Sequence, residues 1–156
     1  MKKEFTIPRL QTVRDIFVFC ALTGLAFTDV QHLRHDHIIK DGNGEYWIRK
    51  AREKTDNMCD IPLLDIPRMI LEKYKGHPEC MKKGVLLPVP SNQRMNSYLK
   101  EIADTCGITK PLSTHVARHT FATVALANKV SMESVAKMLG HTDIRTTRIY
   151  ARILDK

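Results

Sequence analysis

Aromatic residues make up only 6% of this 156-residue chain, within a composition otherwise in the globular range. Nor is there a long hydrophobic run: the longest, Ile16 to Ala26, is broken by Thr23 and Gly24. A bilayer-spanning helix needs about 20 consecutive apolar residues, so none is encoded. The four cysteines, Cys20, Cys59, Cys80 and Cys106, contain no C-x-x-C pair. That excludes a zinc ribbon or a dithiol redox centre and predicts reduced, buried thiols in a cytoplasmic protein. No apolar stretch with a small-residue cleavage site follows Met1-Lys2-Lys3-Glu4, so no secretory signal is expected. Glycine and proline, 7 of each, are too few for a collagenous or low-complexity chain. Acidic residues are also short, 17 against 25 Lys and Arg, which leaves a formal charge of +8. Such a surplus favours a polyanionic partner, because Lys and Arg gain affinity by displacing counterions from phosphates. A domain with a solvated basic face would show the same surplus.

A content of 43% hydrophobic and 27% charged residues fits one globular domain with its own core. Leu10, Val13, Phe17, Val18 and Leu22 recur at helical spacing and predict a helix over 9–25 that breaks at Thr23-Gly24. A short second helix is expected after a Thr28-Asp29 cap, with Val30 and Leu33 turned inward. Residues 37–40 and 45–49, joined by Asp41-Gly42-Asn43-Gly44, read as a hairpin, and 59–63 as a third strand. Helices are predicted at 66–74, 92–106, 115–128, 132–139 and 143–149, and Gly84 to Pro90 reads as an apolar connector with room for a short strand. The expected fold is mainly α with a small three-stranded antiparallel β-sheet, an α+β arrangement in one domain over 1–156.

Polar chemistry concentrates in the last third. Ser113 or Thr114 can cap a helix that places His115 and Arg118 one turn apart, near the free N–H groups and positive dipole end that suit a phosphate. Gly140 can end a helix in the left-handed conformation and swing His141 away from it. Tyr150 follows nine residues later among Arg145, Arg148 and Arg152. Taken singly these are a polar helix face, an ordinary C-cap and a half-buried aromatic.

Together they resemble the tyrosine recombinases, the phage-type and mobile-element integrases. His115-x-x-Arg118 matches the family's second box, Leu139-Gly140-His141 its L-G-H segment, and Tyr150 stands at the spacing of its nucleophile. Thr23-Gly24-Leu25 with Asp29 and Leu33 is similar to the first box, and Lys54-Thr55 sits where the family carries a hairpin lysine. The resemblance implies the recombinase catalytic-domain fold and site-specific cleavage and rejoining of double-stranded DNA through a 3′-phosphotyrosyl link, with no metal or other cofactor. It implies Tyr150 as nucleophile, His115 as its base, Arg118 and His141 as phosphate ligands, and Lys54 as the acid for the leaving 5′-oxygen, with Lys50 its nearest competitor. His119 would pack against or support this set. Arg49, Lys50, Arg52, Arg145 and Arg148 would hold the duplex.

One position departs from the pattern. The first box normally reads T-G-L-R, and here Ala26 stands in place of the arginine, as in a branch of mobile-element integrases. Arg14 is the first choice for a substitute, with Arg49 or Arg52 as alternatives; against Arg14, twelve residues of straight helix span about 18 Å. The family further implies a tetramer on two duplexes, a bacterial cytoplasmic setting at the nucleoid, and an N-terminal core-binding domain that this chain does not contain.

Three other readings compete. His115 and His119 have the i, i+4 spacing of zinc peptidases, but Val116 occupies the place of the catalytic glutamate. Residues 131–150 resemble a helix-turn-helix, with Val135-Ala136, the Leu139-Gly140 turn and a basic second helix, which would make the chain a non-catalytic DNA-binding module. A degenerate recombinase that only binds DNA is the third.

Overall fold

The computed structural model describes residues 6–154; Met1 to Glu4 lie outside them, as does the side chain of Arg152. The first helix, α1 (Pro8–Thr23), opens with proline, whose missing N–H is not needed at that position, and closes at Gly24 in the left-handed region at φ 76°. It is the central helix: α3, α5 and α6 all pack on it. Val13, Ile16, Phe19 and Cys20 are all but fully buried there, at 0–1% exposure. Each such aliphatic or aromatic side chain contributes about 1.5–3 kcal/mol on burial.

A short α2 (Phe27–Gln31) and a 3-10 turn at His35–His37 lead into the antiparallel sheet β1 (Ile38–Lys40), β2 (Tyr46–Ala51) and β3 (Met58–Pro62), in that order. The register sets Ile48 opposite both Ile38 and Ile61. Period-2 alternation then puts Ile48 and Lys50 inward and leaves Arg49 exposed. The chain continues as α3 (Asp65–Lys73), α4 (Pro78–Lys83), α5 (Asn92–Thr105), α6 (Thr114–Ala127), α7 (Met132–Leu139) and α8 (Ile144–Leu154). The main core lies between α1, the sheet, α3 and α5. A smaller one, made of Ala122, Val135, Leu139 and Tyr150, joins α6, α7 and α8.

The mainly α architecture with a three-stranded antiparallel sheet is as the sequence predicts, with three local differences. The short helix α2 starts at Phe27 with Ala26 as its N-cap, so Asp29 lies inside its first turn and is buried rather than capping. A helix, α4, forms at 78–83, where none was expected. No strand forms at 84–90, because Pro88 and Pro90 lack the N–H a ladder needs; Leu86 N–H instead bonds the Leu33 carbonyl at 2.9 Å. Among the described residues no helix is long and apolar enough to cross a membrane.

Candidate active site

Two helices end at the same point. Gly24 caps α1 and Gly140 caps α7, both left-handed, at φ 76° and 72°. Each end presents a carbonyl to one buried guanidinium: Arg118 donates through Nη1 to Gly24 O, and through Nη2 to Leu139 O at 2.8 Å. A cation between two helix C-termini lies at the negative ends of two dipoles. Neither cap tolerates a side chain: a Cβ on Gly24 would stand 2.5 Å from Phe121, and one on Gly140 2.8 Å from Arg52. The helix that carries Arg118 starts at Ser113, whose hydroxyl accepts the Val116 N–H at 3.1 Å. Arg118 is 6% exposed. Burial, and next the positive charge of Arg52, pull its pKa below the ordinary guanidinium value, although Cys59, Tyr150 and Asp29 oppose this. Both leading causes disfavour positive charge, so an added anion would be favoured here.

The second guanidinium comes from the hairpin. Arg52 follows β2 at the inward parity of Ile48 and Lys50, and its Nε is buried with no hydrogen-bond acceptor among the described residues. The nearest charge is Asp29 Oδ2, at 3.5 Å. Asp29 is 1% exposed, and its Oδ1 accepts the Glu53 N–H at 2.8 Å, which pins the β2–β3 turn to α2. Lys50 is used up nearby: its ammonium donates to Glu53 Oε1 at 2.9 Å and to the Ala51 carbonyl at 3.0 Å. Burial and Asp29 push the Cys59 thiol up to about 11, so beside these cations it stays protonated.

On the other side stands Tyr150, 4% exposed on α8. Its ring meets His119 nearly edge-on at 5.1 Å between centroids, and His119 in turn stacks on His115 at 4.2 Å. Burial raises the Tyr150 phenol above its ordinary value while Arg118 and Arg52 pull it back. Burial chiefly, then Arg118 and Arg52, lowers His141 to about 4, so its imidazole is neutral at pH 7. Its Nδ1 lies 2.7 Å from the hydroxyl of Thr147, which is fully buried.

Arg118 and Arg52 both lie near enough to act on the His141 imidazole and on the Tyr150 phenol, so these four side chains share one place. His115 is exposed and reaches Tyr150 only by way of His119, which touches both rings. Lys54 is exposed at the hairpin turn. Arg14, the first choice for the missing arginine, is not brought to the site. It pairs with Asp15 at 2.9 Å, and ten residues of α1, about 15 Å, separate it from Gly24. Lys50 does not face outward toward a duplex either, being 3% exposed and bound within the hairpin. Arg49, Arg145 and Arg148 are exposed; Arg49 lies 3.5 Å from Asp60 and Arg145 2.8 Å from Asp143. Sequence reasoning missed Glu53, Cys59 and Thr147; the strand parity from Ile48 was the available sign that Arg52 turns inward.

No group of three His, Cys, Asp or Glu side chains suited to a metal occurs among the described residues, and His115 and His119 stack on one another. A surface groove lined by Tyr46, Arg68, Tyr74 and Met81 lies elsewhere.

Residues 8–156 match the phage integrase family. The chain is 49% identical over 142 residues to tyrosine recombinase XerD of Listeria monocytogenes serotype 4b, across 84% of this chain and 46% of that protein. Tyrosine recombinase XerD of Halalkalibacterium halodurans is 44% identical over 134 residues, across 85% of this chain and 44% of the relative. This chain therefore spans less than half the length of these relatives. In fold it is similar to the XerH site-specific recombinase in a post-cleavage complex with its palindromic difH substrate, with a TM-score of 0.71 at 20% identity over 96% of this chain and 44% of that one. The XerA recombinase gives 0.64 at 22% identity over 91% and 52%.

Proposed function

The chain belongs to the phage integrase family, the tyrosine recombinases, and from that premise we propose that it cleaves and rejoins duplex DNA at specific sites through a covalent phosphotyrosine. Tyr150 Oη attacks the scissile phosphorus and the bond to the 5′-oxygen breaks, leaving a 3′-phosphotyrosyl ester. The phenol proton passes to His115 by way of His119, whose ring lies against both, and Lys54 protonates the departing 5′-oxygen. A 5′-hydroxyl of the partner duplex reverses these steps and restores the phenol. The ester conserves the energy of the broken phosphodiester, so the cycle balances without a nucleotide or a metal. An unperturbed phenol titrates near pH 10, so cationic neighbours are needed to make Tyr150 a nucleophile. Arg118 and Arg52 supply that charge and clamp the non-bridging oxygens, and neutral His141 donates to the same phosphate.

The observation that carries this reading is the buried Arg52 Nε with no hydrogen-bond acceptor among the described residues, beside Arg118, which donates to two neutral carbonyls. A buried donor without a hydrogen bond costs about 1–3 kcal/mol, which a phosphate oxygen would recover. Arg52 in this reading takes the part that the first-box arginine leaves open at Ala26. Arg49, Arg145 and Arg148 hold the duplex, the longer protein assembles as a tetramer on two duplexes, and it acts on DNA in the bacterial cytoplasm. A free-standing helix-turn-helix is less well supported, because Thr147 and Tyr150 on its second helix face the protein interior.

A DNA duplex nicked near the crossover, from which the released end diffuses away, tests the reading. A denaturation-resistant protein–DNA adduct is expected from the parent and none from Tyr150→Phe. An adduct surviving in that variant removes the assignment of Tyr150, and no adduct from the parent on a cognate site leaves a protein that only binds.

A further inference from the structure

We infer that Thr147 is a positioning residue for this reaction: its hydroxyl donates to Nδ1 of His141, fixing the imidazole as the Nε2–H tautomer whose proton faces the scissile phosphate. The inference rests on the recombination reading for its phosphate, but its first link is local to α8 and the α7 cap.

The argument is a count of protons. Thr147 is fully buried, and the hydrogen bond that its hydroxyl makes runs to His141 Nδ1 at 2.7 Å. Four other helical threonines turn their hydroxyls back to the carbonyl four residues earlier: Thr23 to Phe19, Thr105 to Glu101, Thr120 to Val116 and Thr123 to His119. Thr147 makes its bond to the imidazole instead. Were Nδ1 the protonated nitrogen, it would donate to Thr147 Oγ1, and the threonine's own hydrogen would be buried without an acceptor. With the threonine as donor, every proton of the pair is placed and Nε2–H is left over for a ligand. Which nitrogen carries the proton matters because the imidazole is neutral: burial and the two arginines hold its pKa near 4.

Position adds a second consequence. Thr147 lies three residues before Tyr150, so the two share a face of α8 and both are buried. One hydroxyl therefore links the phosphate donor on the α7 cap to the helix that carries the nucleophile. A helix displaced by a turn would lose Tyr150 from the site and release the tautomer of His141 together.

Imidazole 15N resonances of the 156-residue chain at pH 7 report the tautomer without any need for activity, and His141→Asn assigns the signal. The parent is expected to show the Nε2–H form. Thr147→Val, which keeps the shape and removes the hydroxyl, should shift the signal toward a mixture of tautomers and slow adduct formation about 10- to 100-fold, and Thr147→Ser should restore both. An Nδ1–H parent, or a folded Thr147→Val protein with an unchanged tautomer, overturns the inference even if thermal stability falls. Should the tautomer respond as expected while no variant, parent included, forms an adduct, the hydrogen-bond assignment stands and the recombination reading fails instead.

Discussion

Helix α1 is flanked by two buried charge clusters, one at its middle and one at its C-terminal end, and they are wired in opposite senses. At the middle, a single carboxylate, Asp15, receives Arg14 at 2.9 Å, Lys73 at 2.7 Å and the Tyr74 hydroxyl at 2.6 Å. Burial would raise that carboxyl, yet these donors hold it below its usual value. At the C-terminal end, the guanidinium of Arg118 donates to two carbonyls, and Arg52 has a buried nitrogen with no hydrogen-bond acceptor among the described residues. Asp29 lies 3.5 Å from Arg52 and is shared with the Glu53 N–H and, at 3.7 Å, with Lys50. In the first cluster the carboxylate meets its donors within the protein and ties α1 to α3. The second carries one more cation than its carboxylates, Asp29 and Glu53, balance, and in the proposed reading a phosphate makes up that deficit.

The sharpest way to break the comparison is Arg118→Lys. One compact ammonium cannot span both carbonyls and still clamp an oxygen, so single-turnover cleavage should fall about 100- to 1000-fold. Cleavage within tenfold of the parent would mean that the two-carbonyl cradle is not part of the site. Next in size is Asp15→Asn. Removing the charge that three donors share should cost about 2 kcal/mol of stability in urea titration, discounted for the half-exposed Lys73. The folded fraction should still cleave at the parental rate, and a loss of cleavage beyond the loss of fold would join the two clusters into one.

The smallest effect is in pH. His141 has a folded value of about 4 against roughly 6.5 in an unfolded chain, and burial lowers His119 and His37 as well. Between those values the unfolded chain binds more protons, so stability falls as the pH drops from about 6.5 to 4. Asp15, held low, adds its loss only below the ordinary carboxylate value of 3.8. The urea midpoint should therefore fall between pH 7 and pH 5, less steeply in His141→Asn; an unchanged slope in that variant would mean that His141 is not buried neutral.

Much of this was legible in the chain. Helix α7 has the predicted bounds, Ser131 and Ser113 cap as their positions require, and the hairpin forms around Asp41, whose carboxylate takes the Asn43 and Glu45 N–H groups. Helix α4 was not, because six residues with one buried side chain, Cys80, leave no periodic stripe to read. The motif singled out Arg118, His141 and Tyr150, which the fold places around Arg52. It could not give the partners of Arg118, since backbone carbonyls have no sequence signature. Lys50, Arg52 and Lys54 are separated only by inward or outward parity and by where the turn begins. Arg14 looked eligible because it is an arginine on a neighbouring element, and only the length of α1 and the position of Asp15 exclude it.

The account stands on the cation excess at the end of α1 being the phosphate site, and Arg52 measured against Arg14 tests it most directly. In single-turnover cleavage of a nicked duplex, Arg52→Ala is expected to lower the rate of adduct formation about 100-fold or more, and Arg14→Ala to leave it at the parental value. The reverse pattern, with Arg52→Ala active and Arg14→Ala silent, would contradict the account and return the missing arginine to α1.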